Sequence, residues 1–248
     1  MSQQESIYDL AYRGKTSDVK ILLNETESLK TQTDGNGRML IHWSALGGHD
    51  DLVRYLLSLG VPVDPTDDVT GNFNILFLRI PISLVKNTNM TPLILAASAG
   101  REKVVNTLLA ESANVNAKTV DGHSALQYAA SKNWKSICVA LLEKYADINI
   151  TDKRGATPMH RAASKGNIAI VKLLIEYGKD LKIDQKDAYG NTALHLACEE
   201  DRLEEAKLLV INGADITLTN KERKTPLDLA SPRLARTLKQ LKEDPITT

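Results

Sequence analysis

The sequence predicts an all-α repeat solenoid, built from helix–turn–helix units with a β-turn finger between them. Three observations predict it. A seven-residue phrase recurs as TPLILAA at 91–97, TPMHRAA at 157–163, TALHLAC at 192–198 and TPLDLAS at 225–231, with weaker copies MLIHWSA at 39–45 and SALQYAA at 124–130. The copies begin at 39, 91, 124, 157, 192 and 225, so every interval but the first lies between 33 and 35. Each phrase is followed by a second apolar series at helical spacing, the pattern of one buried stripe.

The elements follow in chain order. A degenerate first copy, ESIYDLAYRG, begins near Glu5. In the full copies Thr precedes Pro: the hydroxyl caps free helix N–H groups and Pro suits the first helical position. Paired small residues (Ala96–Ala97, Ala129–Ala130, Ala162–Ala163) let neighbouring helices approach closely. Gly48, Gly100 and Gly166 read as left-handed helix stops, and Gly60, Gly178 and Gly213 end the second helices. The second helices bury Leu52, Val53, Leu56 and Leu57; Val104, Val105, Leu108 and Leu109; Ile137, Cys138, Leu141 and Leu142; and Ile170, Val171, Leu174 and Ile175. Turns such as Asp152–Gly155 and Asp187–Gly190 lead into the next copy. Together these give a single domain over 1–242 with seven copies, starting near 5, 39, 91, 124, 157, 192 and 225, and a flexible tail at 243–248.

Composition narrows the function classes. Lys plus Arg and Asp plus Glu are both 31, so the chain is neutral. A dedicated nucleic-acid binder shows a basic excess, and none is present. The one long apolar run carries Arg79 and Pro81 and is shorter than the roughly 20 residues of a membrane span. Two cysteines, Cys138 and Cys198, point away from a disulfide framework and towards a reducing compartment. The N-terminus has no apolar core of the kind a secretory signal carries.

Candidate catalytic groups fall into the repeat grammar instead. His42, His160 and His195 fill one repeat position a full period apart, without a carboxylate or thiol at metal-ligand spacing. Cys138 and Cys198 fall on core positions, away from any base that would activate them. The pairs Asp50–Asp51 and Asp67–Asp68 read as a helix start and a finger turn. No phosphate-loop, zinc-helix or nucleophile-elbow motif occurs. The expectation is a binding protein that is not an enzyme and uses no cofactor or metal.

With a period of 33 and the phrase T-P-L-H-x-A, the chain resembles the ankyrin-repeat family. The less regular stretches HWSALGGHDDLVRYLLSLGVPVD, MHRAASKGN and LHLACEEDRLEEAKLLV are similar to those of its seven-repeat branch that chaperones assembly of the proteasome regulatory particle. That resemblance implies binding of the C-terminal domain of a proteasome base ATPase subunit by a concave face. Arg38, Lys132, Asp67 and Asp68 match the branch's interface positions. The repeat phase independently directs Asn36, Arg38, Leu46, Ser131, Lys132, Lys153, Arg154, Lys165, Tyr189, Asn191, Glu199 and Glu200 to that face, with Trp43 beside them and Asp67 and Asp68 near the same line. Central basic groups thus stand between acidic ones, a pattern for a partner of complementary charge. Leu196, Cys198 and Glu200 also fit L-x-C-x-E, which by resemblance implies a retinoblastoma-type partner, although retinoblastoma-type recognition wants an extended strand where the repeat phase places a helix. A cyclin-dependent kinase and a ubiquitin ligase are implied in the same way, as is an adaptor or cell-cycle regulator role as the alternative function. A monomer in cytoplasm and nucleus, binding neither nucleic acid nor membrane, is expected.

The interval of 52 between the second and third copies exceeds 33 by 19 residues. This insertion, about 70–89, carries the apolar run GNFNILFLRIPISLVKN. A docking loop, a β-hairpin extension of the finger and a retained in-frame intron all stay open. The insertion also removes the usual turn glycine before Thr91.

Overall fold

The computed structural model describes residues 5–67 and 88–243. The tail at 244–248 and most of the insertion at 70–89 lie outside the described residues. The first compact unit runs to Ala125 and the second starts at Leu126. In the first unit α1 (Ile7–Tyr12), α3 (Leu40–Gly47) and α5 (Pro92–Ser98) are the first helices of successive copies; α2 (Thr16–Glu25), α4 (Asp50–Ser58) and α6 (Glu102–Ala110) are the second helices. A short 3-10 turn, Glu27–Lys30, follows α2. The break falls at the start of α7 (Ala125–Ser131). The second unit continues with α8 (Lys135–Glu143), α9 (Pro158–Lys165), α10 (Ile168–Glu176), α11 (Ala193–Glu199), α12 (Leu203–Ile211), α13 (Pro226–Leu229) and α14 (Pro232–Glu243). Within each unit first helices pack on first helices and second on second: α1 on α3 on α5, α4 on α6, α9 on α11 on α13, and α8 on α10 on α12 on α14. The described residues form no strand, only an isolated bridge between Lys118 and Ser124.

Helix starts follow the capping chemistry. Thr91, Thr157, Thr192 and Thr225 each accept the N–H three residues on, at 3.3–3.4 Å. The alanine pairs 96–97, 129–130 and 162–163 are fully buried, so helix backbones meet where larger side chains would hold them apart. On the second helices the predicted stripe is buried, each large side chain contributing about 2 kcal/mol. Leu57 and Ile175 are exceptions: both are only half-buried at the rim, and Leu173 joins the core instead.

A recurring bond ties copies together. In four copies the residue just before the second helix reaches back to the carbonyls that end the preceding copy's first helix, groups without an intrahelical partner. His49 Nε2 lies 2.8 Å from the Tyr12 carbonyl and Arg101 Nε donates to Leu46 at 3.0 Å. In the second unit Asn167 Nδ2 donates to Ala130 at 2.7 Å, and Arg202 Nε to Ser164 at 3.4 Å.

Gly48, Gly100 and Gly166 are left-handed, as the sequence predicts; of the glycines that end second helices, Gly60 and Gly213 are left-handed and Gly178 is not. A Cβ there would stand 2.8 Å from the Leu181 Cβ and 2.7 Å from the Leu174 carbonyl oxygen. Crowding, rather than φ, demands that glycine.

The fingers share one geometry. Asp34, Asp152, Asp187 and Asn220 each donate their N–H to the carbonyl four residues on, and accept with one side-chain oxygen the N–H groups two and four residues on. Left-handed Gly37, Gly155 and Gly190 take the fourth position. Asp67 begins such a finger too: its N–H donates to the Met90 carbonyl at 3.2 Å and its carboxylate accepts the Met90 N–H at 2.7 Å. Thr88 Oγ1 bonds the same carboxylate, and Asn89 is left-handed (φ 50°). The Thr88 carbonyl accepts from Val120 of the next finger, as Arg154 accepts from Ala188 and Tyr189 from Lys221. Thr88, Asn89 and Met90 therefore hold the third, fourth and fifth places of a finger that Asp67 opens. Asn89 supplies the left-handed turn that the sequence reading considered lost with its glycine.

Candidate protein-interaction surface

The repeat histidines are structural. In His42, His160 and His195, Nδ1 accepts the backbone N–H of Met39, Thr157 and Thr192 at 3.1–3.2 Å. Nε2–H is then the donor, to the carbonyls of Pro65, Asn191 and Lys224 at 2.9, 3.0 and 3.2 Å. Each ring thus joins a helix start to the finger that follows. Burial pushes all three below the usual histidine range, His42 to about 4. Gln127 does the same work in its copy, Nε2 donating to Ala156 at 2.7 Å. Asp50 and Asp51 open α4: Asp51 accepts from Thr16 at 2.7 Å, which holds its carboxyl below the usual range, and Asp50 binds Arg54 and Thr107.

In the first unit five residues converge on one polar–aromatic cluster. Arg38 Nε donates to Asp67 Oδ2 at 3.1 Å, with side chains 20% and 2% exposed. The guanidinium carbon lies 5.2 Å from the centre of the Trp43 ring. Trp43 Nε1 donates to Asp34 Oδ2 at 3.0 Å, while Asp34 Oδ1 accepts the Arg38 N–H at 2.9 Å. Tyr12, 45% exposed, meets Trp43 edge-on with centroids 6.1 Å apart. Arg38 is thus a pinned cation: Asp67 and Trp43 hold it, and Thr88 and Met90 hold Asp67. An exposed Lys or Arg loses much side-chain entropy when a partner fixes it; here that ordering precedes binding. Tyr12 and Asp34 belong to the cluster without having been singled out in the sequence, because Tyr12 lies in the degenerate copy and Asp34 reads as an ordinary turn residue. Asn36 is exposed on the same finger, and Leu46 is half-buried with its carbonyl taken by Arg101. Asp68 lies outside the described residues.

In the second unit Lys132 is exposed just beyond α7, next to half-buried Ser131. Lys165 is exposed in the last turn of α9. Lys153, Arg154 and Tyr189 occupy neighbouring finger tips, and Asn191 is tied to Asn220 at 2.8 Å. Glu199 and Glu200 are exposed, Glu200 lying 3.9 Å from Arg202. The L-x-C-x-E residues do not form a presentable strand: Leu196 and Cys198 are in helix α11, Cys198 is buried and its thiol is pushed up to about 12. Cys138 is buried likewise, also at about 12. No helix of the described residues is long and apolar enough to cross a membrane.

The family model of ankyrin repeats, a three-copy unit, matches residues 7–119, 71–152 and 126–220. The 26S proteasome non-ATPase regulatory subunit 10 of Mus musculus is 44% identical over 62 residues, 25% of this chain and 27% of that protein. The matched segment therefore spans about a quarter of this curated relative. The ankyrin repeat domain of human ASB11 superposes with a TM-score of 0.78 at 23% identity, covering 95% of this chain and 96% of that one. That of Bcl-3, a member of the IkappaB protein family, gives 0.76 at 21% identity over 97% and 100%. Both likenesses concern the fold.

Proposed function

The chain belongs to the ankyrin-repeat family, a protein-interaction scaffold, and from that premise we propose that it chaperones assembly of the proteasome regulatory particle, in the manner of gankyrin, by binding the C-terminal domain of a base ATPase subunit. The observation that carries the reading is the pinned Arg38. A guanidinium fixed by Asp67 and stacked on Trp43, beside an exposed tyrosine, is a preorganised anchor for a carboxylate-bearing protein surface. Similarity to the proteasome subunit supports the choice of partner. Lys132, exposed in the second unit, supplies a second cation. The protein's part is to hold the ATPase domain and delay its docking; no bond is made or broken. Its place of action is then cytoplasm and nucleus.

The test is titration of a recombinant ATPase C-terminal domain with wild-type protein and with Arg38→Ala, Lys132→Ala. Removing the pinned cation leaves Asp67 without its ion partner and takes a central anchor away, so the affinity falls at least about tenfold, about 1.4 kcal/mol. Circular dichroism and melting report that the fold survives. Unchanged affinity in the double variant removes this surface from the account.

A further inference from the structure

We propose that the finger tips of the second unit form a cationic ridge that takes an extended acidic segment of a partner protein. The proposal rests on the scaffold reading but not on the ATPase or the Arg38 cluster.

Three consecutive fingers are joined edge to edge by backbone hydrogen bonds: Ala188 donates to Arg154 at 2.7 Å and Lys221 to Tyr189 at 3.0 Å. The ridge's spacing is set by the main chain and costs nothing to order on binding. Its charges are segregated. The finger acids turn inward: Asp152 is buried under Arg161 and the N–H groups of Arg154 and Ala156, and Asp187 caps Tyr189 and Asn191. The cations turn outward. Lys153, Arg154, Lys221 and Arg223 are all exposed, and among the described residues none has an ion partner. The neutrality of the whole chain conceals this local excess. Tyr189, 58% exposed, adds a flat apolar surface between the charged tips.

Arg223 is an independent sign. It occupies the left-handed place (φ 61°) that glycine takes as Gly155 and Gly190 in the two preceding fingers. A side chain there carries strain of about 1–2 kcal/mol. The turn would close with less strain with glycine, yet the position carries an exposed cation.

The partner's chemistry follows from number and sign. Affinity for nucleic acid grows with the number of phosphates neutralised, about 6–10 in a strongly salt-dependent binder, and this ridge offers fewer free cations than that. Glu222 also stands between Lys221 and Arg223, bound to Lys224 at 3.0 Å, where a continuous polyphosphate would meet it. A peptide with spaced carboxylates can avoid Glu222, and its aliphatic stems can lie on Tyr189.

The test is fluorescence anisotropy at low salt, with a fluorescein-labelled poly-Glu peptide whose glutamates are spaced by Ser-Gly, and an oligo-dT of matched charge, as probes. Wild type binds poly-Glu, and the binding weakens as salt rises. Lys153→Glu, Arg154→Glu, Lys221→Glu, Arg223→Glu reduces it by at least about tenfold. The single change Arg223→Gly weakens binding while keeping or raising the melting temperature, which separates loss of charge from loss of fold. No binding by wild type, full binding by the charge-reversed variant, or tighter binding of oligo-dT than of poly-Glu each overturns the proposal. Wild type that binds poly-Glu but not the ATPase domain overturns the chaperone reading alone.

Discussion

Mild acid should unlock the first unit at a single imidazole, and His42→Gln should remove the effect. His42 has no exposed surface, accepts the Met39 N–H and donates to the Pro65 carbonyl. Burial dominates its depressed pKa, partly offset by nearby Asp67 and deepened slightly by Arg38. The folded state holds the proton off to about 4, whereas the unfolded chain takes it at the ordinary 6.5. Below pH 6.5 the unfolded state therefore binds more protons. The stabilisation is intact above about 6.5 and is lost as pH falls towards about 4. At about 1.36 kcal/mol per pH unit, the full window amounts to about 3 kcal/mol, about 2 of it gone by pH 5. Gln127 shows that an amide can make the finger bond from the same repeat position. His42→Gln should therefore cost about 1 kcal/mol at pH 7.5 yet lose about 2 kcal/mol less than wild type between pH 7.5 and pH 5. The assay is urea unfolding across that range, followed by Trp43 fluorescence in a Trp134→Phe background, so that the signal comes from the first unit. Equal acid slopes for His42→Gln and wild type would refute the reasoning. Burial also depresses His160 and His195, so the second unit should soften in the same direction.

Three further outcomes follow from the same geometry. Tyr145 is 89% exposed at φ 62°, in the place where Gly60 and Gly213 end other second helices; Tyr145→Gly should stabilise the protein by about 1 kcal/mol, raising Tm by about 2–4 °C, and a lower Tm would show that the ring is doing structural work. Deleting residues 69–87 leaves Asp68 as the single link between Asp67 and Thr88, as in a standard finger; the shortened chain should keep the helix content and melting of the full one, and a lower Tm would mean that the segment supports the fold. Neither Cys138 nor Cys198 should react with a maleimide in the native state, since burial pushes both thiols to about 12; rapid labelling of Cys198 would reopen L-x-C-x-E as an accessible motif.

What was legible in the sequence was whatever repeats. The T-P phrase marks helix starts, the alanine pairs mark where helices touch, and the apolar series marks the second-helix stripe. Each encodes a local rule, and the copies confirm one another. Less was legible where one copy answers another. That Arg38 pairs with Asp67, 29 residues away, depends on a finger closing through Thr88 and Met90. The back-bonds from His49, Arg101, Asn167 and Arg202 serve one purpose with three residue types, so no consensus letter announces them. A glycine that ends a second helix does not tell why it is there: Gly60 and Gly213 are left-handed, whereas at Gly178 the neighbouring Leu181 sets the requirement. Nor does glycine mark every left-handed turn, since Asn89, Tyr145 and Arg223 take one without being glycine. Of the candidate surface, the repeat phase singles out Arg38 but not that Asp67 and Trp43 pin it.

Whether this scaffold serves proteasome assembly is read out by native purification of the tagged protein from a cell lysate. Proteasome base ATPase subunits should co-purify without mature 26S particles, and should be lost in the Arg38→Ala, Lys132→Ala variant. Recovery of a protein kinase in place of the ATPases, or of the same ATPases with the variant as with wild type, would contradict it.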